Sequence, residues 1–377
     1  MKLGPTALFG LVVAATGAVG CGSRTGLDLL VAGAATGSGT ATGSGTGTGT
    51  TSGTMTMTSS GTGASTRSDA AATSSDAGVT GSDAGVAPRI VLFGGANIPD
   101  TMWIDLADTW TWDGTEWNMT DVSGPAPSGR IGAVMATLGD ELVLFGGTTE
   151  TDPALVLADT WVWSGGAWTQ LAIQGPPARA FAVMAPLGGT LVLFGGSGGS
   201  GATSSLSDTW TFDGHAWSQV TTAMAPARAN AVMAPLGNEL VLFGGTREGV
   251  GYLADTWTWD GVAWTPLGAV GPSKRGDAVV AAVDGGVVLF GGTDFNAAFA
   301  DTWTWDGTAW TEVADAGPSG RWSATAAALD GKVVLFGGTS GESGAELSDT
   351  WAWDGHAWTQ LEVTGPSART GAVMGTL

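Results

Sequence analysis

The sequence predicts an all-β protein built as a six-bladed propeller, and three markers that recur together predict it. Phe-Gly-Gly stands at 93–95, 145–147, 194–196, 243–245, 290–292 and 336–338, at spacings of 52, 49, 49, 47 and 46 residues. Asp-Thr-Trp begins at 108, 159, 208, 255, 301 and 349. An arginine follows a proline-containing turn at Arg130, Arg179, Arg228, Arg275, Arg321 and Arg369. Three markers sharing one period mark a repeated supersecondary unit, and a four-stranded unit of this size is a propeller blade.

Each unit reads as four strands. Strand A is small and apolar, from "GAVMATL" to "GAVMGTL". Strand B is a buried run ending in a double glycine, as in "ELVLFGG" at 141–147. Strand C is the tryptophan phrase, "DTWTWDG" at 108–114, 255–261 and 301–307. Its period-two alternation sets Trp110 and Trp112 on one face and Thr109 and Thr111 on the other. Strand D carries one more indole: Trp117, Trp168, Trp217, Trp264, Trp310 or Trp358. Asp-Gly stands between C and D in five units and Ser-Gly in one. These pairs read as the two central residues of a tight hairpin. The A–B links ("LGDE", "LGGT", "LGNE", "LDGK") read as equally short hairpins.

Side-chain size orders the strands from the axis outward. Strands at a propeller axis are crowded, and strand A is nearly all Ala, Gly and Val. The outer strands diverge and need bulk. Seventeen of the 19 tryptophans occupy register positions on C and D; Phe212 replaces one, and only Trp103 and Trp322 stand outside. The phrase is therefore expected to glue neighbouring blades, each buried indole contributing on the order of a few kcal/mol. The repeats begin on a B strand ("RIVLFGG", 89–95) and end on an A strand ("SARTGAVMGTL", 367–377). The last A strand is expected to complete the first blade, closing the ring and hiding its edges.

An apolar strand ending in Gly-Gly, an aromatic pair and a spaced tryptophan together resemble the kelch repeat over residues 89–377. One departure is the use of Trp where kelch strands usually carry Tyr. The resemblance implies a kelch-type β-propeller, and it brings two enzyme types into view. Galactose oxidase is a copper enzyme of this fold needing Tyr, His and a Cys–Tyr crosslink. This chain has one Tyr and one Cys, and its two histidines, His215 and His356, fall in equivalent turns of opposite repeats. That activity is excluded, and no cofactor, metal site or catalytic residue is assigned. Sialic-acid mutarotases resemble the chain in blade count and export. They stand as the alternative, a carbohydrate-active enzyme, to a non-enzymatic binding or scaffold module.

The first residues add a destination. "MKLGPTALFGLVVAATGAVG" has a lysine and then a broken apolar run too short to span a membrane. Its end, "AVGC", resembles the lipobox of bacterial lipoproteins, which would make Cys21 the lipidated residue; ordinary secretory cleavage is the other reading. Gly22 follows Cys21 rather than Asp, which favours an outer-membrane or cell-surface lipoprotein. Residues 22–88 are dominated by Gly, Ser, Thr and Ala and read as a disordered tether, with an r.m.s. span of roughly 40 Å. Residues 1–21, 22–88 and 89–377 thus read as signal, tether and propeller. The formal charge of −21 argues against nucleic acid as a partner. The expected partner is a protein or glycan at the envelope, met by a monomer.

Recognition is expected on the B–C loops, which vary in length and sequence on a constant scaffold. The apolar residue two before each Asp-Thr-Trp (Leu106, Leu157, Leu206, Leu253, Phe299, Leu347) recurs and reads as structural. The candidate ligand-binding residues that remain are Trp103, Asp105, Asp152, Arg247, Tyr252, Asp294, Phe295 and Glu342, with Asp100, Glu150, Glu248 and Glu346 in the same loops. Aromatic rings beside carboxylates suit a sugar or a basic peptide. The six register arginines could ring an anion, but a charge repeated in every blade is more simply paired within the sheet, with the aspartate of Asp-Thr-Trp.

Overall fold

The computed structural model describes residues 89–98, 102–149, 155–199, 204–222, 225–283, 285–313 and 316–377. The export signal, Cys21, the tether, Asp100, Glu150 and Asp152 lie outside the described residues.

The described residues form six four-stranded antiparallel sheets, numbered here as blades 1–6. Blade 2 shows the plan: A (Val134–Leu138), B (Glu141–Phe145), C (Thr160–Ser164) and D (Ala167–Leu171) pair in that order. In blade 1 the A strand is Val373–Thr376, which pairs antiparallel with Ile90–Phe93 in register Ile90↔Thr376 to Phe93↔Val373. The two ends of the described chain thus share one sheet. The six A strands also touch one another in succession, and that of blade 1 meets those of blades 2 and 6.

The seams repeat one set of contacts six times. The D-strand indole of each blade donates its Nε1–H to the first threonine of the C strand before it. Trp168 meets Thr109 at 3.0 Å, Trp217 meets Thr160 at 3.1 Å, and Trp117 meets Thr350 at 3.0 Å. The same ring lies against the phenylalanine of the preceding Phe-Gly-Gly, as Phe93 against Trp168 at 5.2 Å between centroids. Within its own sheet it tilts against the second aromatic of the C strand, Trp163 against Trp168 at 5.2 Å. The first tryptophan of the phrase has a different task. It is half-buried in every blade but blade 2, where Trp161 is buried, and its indole N–H bonds the aspartate two residues earlier, as Trp110 to Asp108 at 2.7 Å. The phrase therefore joins blades through its threonine and second aromatic ring, while its first indole holds a carboxylate in place.

The C–D turns depart from the sequence expectation by one position. Trp112 pairs with Trp117, and Asp113 N–H bonds Glu116 O, so the central pair is Gly114-Thr115 and not Asp113-Gly114. Gly114 takes φ +100°, the glycine-requiring first position of a type II′ hairpin. Asp113 stands before the turn, and its Oδ1 accepts the N–H groups of Thr115 and Glu116. Only blade 2, with Gly165-Gly166 at φ +58° and +87°, has the primed turn with two left-handed residues.

Candidate functional site

Each register arginine organises the end of its blade. Arg130 is 1% exposed. Its Nη1 donates to Asp159 Oδ1 at 2.6 Å and to Gly146 O at 3.0 Å, and its Nη2 donates to Asp159 Oδ2 at 2.9 Å. The same pairing joins Arg179 to Asp208, Arg228 to Asp255, Arg275 to Asp301, Arg321 to Asp349 and Arg369 to Asp108. All six aspartates are held below the ordinary carboxylate range. Burial opposes that shift, and the arginine and indole hydrogen bonds outweigh it. These guanidiniums are consumed by the fold and do not form an anion-binding ring.

The next two residues build the site. The first pairs with the B–C loop: Ile131 with Thr148, Ala229 with Thr246, Gly276 with Thr293, Trp322 with Thr339. The second turns left-handed in every blade: Gly132, Phe181, Asn230, Asp277, Ser323 and Gly371, at φ between +51° and +66°. Five backbone hydrogen bonds link these six in succession, from Gly132 to Gly371. Phe181 N–H bonds Gly132 O at 2.7 Å, Asn230 N–H bonds Phe181 O and Asp277 N–H bonds Asn230 O at 3.0 Å, and Ser323 N–H bonds Asp277 O and Gly371 N–H bonds Ser323 O at 2.9 Å. The result is a rim around the axial opening. Behind it lies a cavity of about 170 Å³ lined by the A strands, including Met135, Met184, Met233 and Met374.

Sequence reasoning missed this rim. The signal was present: in a register where the arginine and the alanine three residues later are constant, the residue between them reads Gly, Phe, Asn, Asp, Ser, Gly. A varied position inside a strict repeat is free of the fold's common demands, apart from its left-handed backbone. Asn and Asp tolerate that conformation best among non-glycine residues.

The rim is polar on one side. Burial pushes the Asp277 carboxyl up to about 7, and one hydrogen bond, from Ser323 Oγ at 3.4 Å, offsets this in part. Asn230 Oδ1 is buried and accepts no hydrogen bond. Burial and the charges of Asp277 and Asp294 push the Tyr252 phenol up to about 12. Asp294 is drawn below its usual range: N–H bonds from Asn296 and Ala297 and the charge of Lys274 outweigh desolvation. Tyr252 thus lies within the field of the predicted Asp294 and the unpredicted Asp277, at the junction of blades 4 and 5. Phe295, beside Asp294, is 67% exposed and holds φ +77°, a conformation that strains a bulky side chain.

The other candidates sit on neighbouring loops. Arg247 is exposed on a short ribbon in which it pairs with Gly251 and Thr246 pairs with Tyr252. Trp103 is half-buried, and Asp105 is half-buried in a ribbon opposite Ala96. Glu342 is exposed, and its N–H bonds Ser340 Oγ at 3.3 Å. Among the described residues, five of the eight large apolar side chains that are exposed lie on B–C loops: Met102, Ile104, Leu155, Val250 and Phe295. A larger cavity, about 330 Å³, opens between blades 3 and 4 on the opposite face, among turn residues Gly188, Gly237 and Gly261. Its carboxylate, Asp260, is engaged by the N–H groups of Val262 and Ala263. The loop face carries two buried amide oxygens without donors, on Asn97 and Asn230, and most of the exposed apolar side chains, and it is the candidate site.

Six repeated sheets with an arginine-clamped loop face define a β-propeller scaffold. The family described as the KLHDC2/KLHL20/DRC7 Kelch-repeats domain matches residues 82–260 and 215–376, more than half of the chain. The chain belongs to the kelch-repeat family, whose propellers generally mediate protein binding. Among curated proteins, none matches the chain.

Proposed function

We propose that this chain is a non-enzymatic binding module of the cell envelope that recognises a protein ligand through its B–C loop face. The concentration of exposed apolar side chains on those loops carries the reading. Isolated exposed apolar residues are ordinary on a soluble surface, but grouped ones on a rigid scaffold favour association. Phe295 supplies an exposed aromatic anchor next to Asp294, and the carboxylates of these loops supply a polar rim that selects among partners. The lipobox-like Cys21 and the low-complexity segment after it support export, lipid anchoring at the outer membrane or cell surface, and display on a tether.

Site-specific photocrosslinking tests the face. A benzoylphenylalanine at position 295 is expected to capture a defined envelope protein in cells, while the same group at position 262, on the opposite hairpin face, captures none. Equal capture at both positions refutes the choice of face. Metabolic labelling with palmitate, lost in Cys21→Ser, tests the anchor.

A further inference from the structure

We propose that the rim between Asn230 and Ser323 is a receptor for a primary ammonium group, such as a lysine side chain of the bound partner. This deepens the protein-binding reading and rests on it.

The inference starts from hydrogen-bond accounting. Asn230, Asp277 and Ser323 are consecutive members of the rim, locked by Asp277 N–H to Asn230 O at 3.0 Å and Ser323 N–H to Asp277 O at 2.9 Å. Their side chains offer acceptors in excess of donors. Asn230 Oδ1 is buried with no donor. The Asp277 carboxylate receives only a long bond from Ser323 Oγ, at 3.4 Å. Asp277 belongs to none of the six register ion pairs. Tyr252 lies within the field of both Asp277 and Asp294. Buried acceptors without donors are costly, and a ligand that brings donors and positive charge relieves both deficits.

The chemistry narrows the ligand. An ammonium is compact and carries three donors with no acceptor, which suits two fixed acceptors and a recessed opening. A divalent metal is a poorer fit, since no group of three His, Cys, Asp or Glu side chains converges among the described residues. The site is built by backbone geometry and not by mobile surface groups. All three residues are left-handed, at φ +55°, +56° and +51°, so their side chains start from fixed directions.

Titrating the ¹⁵N-labelled full chain with n-butylammonium chloride, against potassium chloride at equal ionic strength, tests the proposal. The amide resonances of Asn230, Asp277 and Ser323 are expected to shift and saturate with n-butylammonium only. Asp277→Asn and Asn230→Gly, both compatible with a left-handed backbone, are expected to weaken that binding at least tenfold while leaving other resonances in place. Equal shifts with potassium, a stronger response to calcium, or unchanged affinity in Asp277→Asn would overturn it. Asp277→Asn keeps the Phe295 surface intact. Absence of saturable n-butylammonium binding by the parent chain, with crosslinking at position 295 retained, therefore removes the lysine receptor alone, whereas failure of the crosslinking removes the protein-binding reading.

Discussion

Arg369 donates two hydrogen bonds to Asp108, at 2.7 and 2.8 Å, across 261 residues of sequence. The five other pairs of this kind each join residues less than 30 apart. One local motif has been reused, unchanged in geometry, to fasten the end of the chain to its beginning. Its electrostatics are those of any buried pair: the arginine is 1% exposed and the carboxylate 28%. Only the loop it closes is different.

Removing either partner should leave a buried charge unanswered. Arg369→Met is expected to destabilise the propeller by about 3 kcal/mol, measured by urea unfolding. Arg228→Met should cost less, because Asp255 is 40% exposed and water takes up part of its charge. The double variant Asp108→Asn, Arg369→Met should cost less than the sum of its parts.

The indole–threonine bonds predict a second effect. Trp358 Nε1–H meets Thr302 Oγ1 at 2.9 Å, and Thr302 is fully buried. Thr302→Val keeps the shape and removes the acceptor. It is expected to cost about 1–3 kcal/mol in chemical denaturation, the penalty for a buried donor left without a partner. An unchanged unfolding midpoint would show that the ring contacts hold this seam without the hydrogen bond.

Asp277 sets an unusual pH dependence. Its carboxyl titrates near 3.8 when unfolded and near about 7 in the fold. Between these values the folded chain keeps a proton that the unfolded chain has lost. The stability this side chain contributes is therefore full below pH about 4 and is lost as pH rises through about 7. The register aspartates shift the other way, so their contribution is lost as pH falls below the normal carboxylate range. The Tm of Asp277→Asn relative to the parent is expected to rise between about pH 5 and about pH 8. A constant difference would mean that Asp277 titrates normally.

Two glycines separate space from backbone. A Cβ on Gly132 would stand 2.6 Å from the Phe181 ring, at φ +60°. One on Gly268 would meet nothing within 4 Å, at an ordinary φ. Gly132→Ala should lower Tm by several degrees, while Gly268→Ala is neutral or slightly stabilising.

Phe295 trades stability for surface. Phe295→Gly removes a left-handed aromatic residue and is expected to raise stability by roughly 1 kcal/mol. The same change should abolish partner crosslinking from a probe placed at Val250. Lower stability in the glycine variant would show that the ring is held by packing and is not strained.

The repeat was legible because propeller blades make the same demand six times. Phe-Gly-Gly, Asp-Thr-Trp and the arginine mark places where every blade needs a tight turn, a seam contact or a charge pair, so periodicity alone revealed strands, order and the arginine's partner in the sheet. The division of labour within the tryptophan phrase was not legible, since both indoles share one face and alternation cannot tell a seam ring from a ring that holds a carboxylate. The loop candidates were found by their variability, and among them the charge of Asp294 acts on the Tyr252 phenol. Asp277, whose charge also reaches Tyr252, is in the sequence one letter of the turn between Arg275 and Ala278. Its importance comes from the axis, where six left-handed residues more than 45 positions apart are brought rim to rim by ring geometry. Local periodicity determines what each blade is; which side chains share the axial opening, and which of them lack partners there, depends on long-range convergence that only the folded ring supplies.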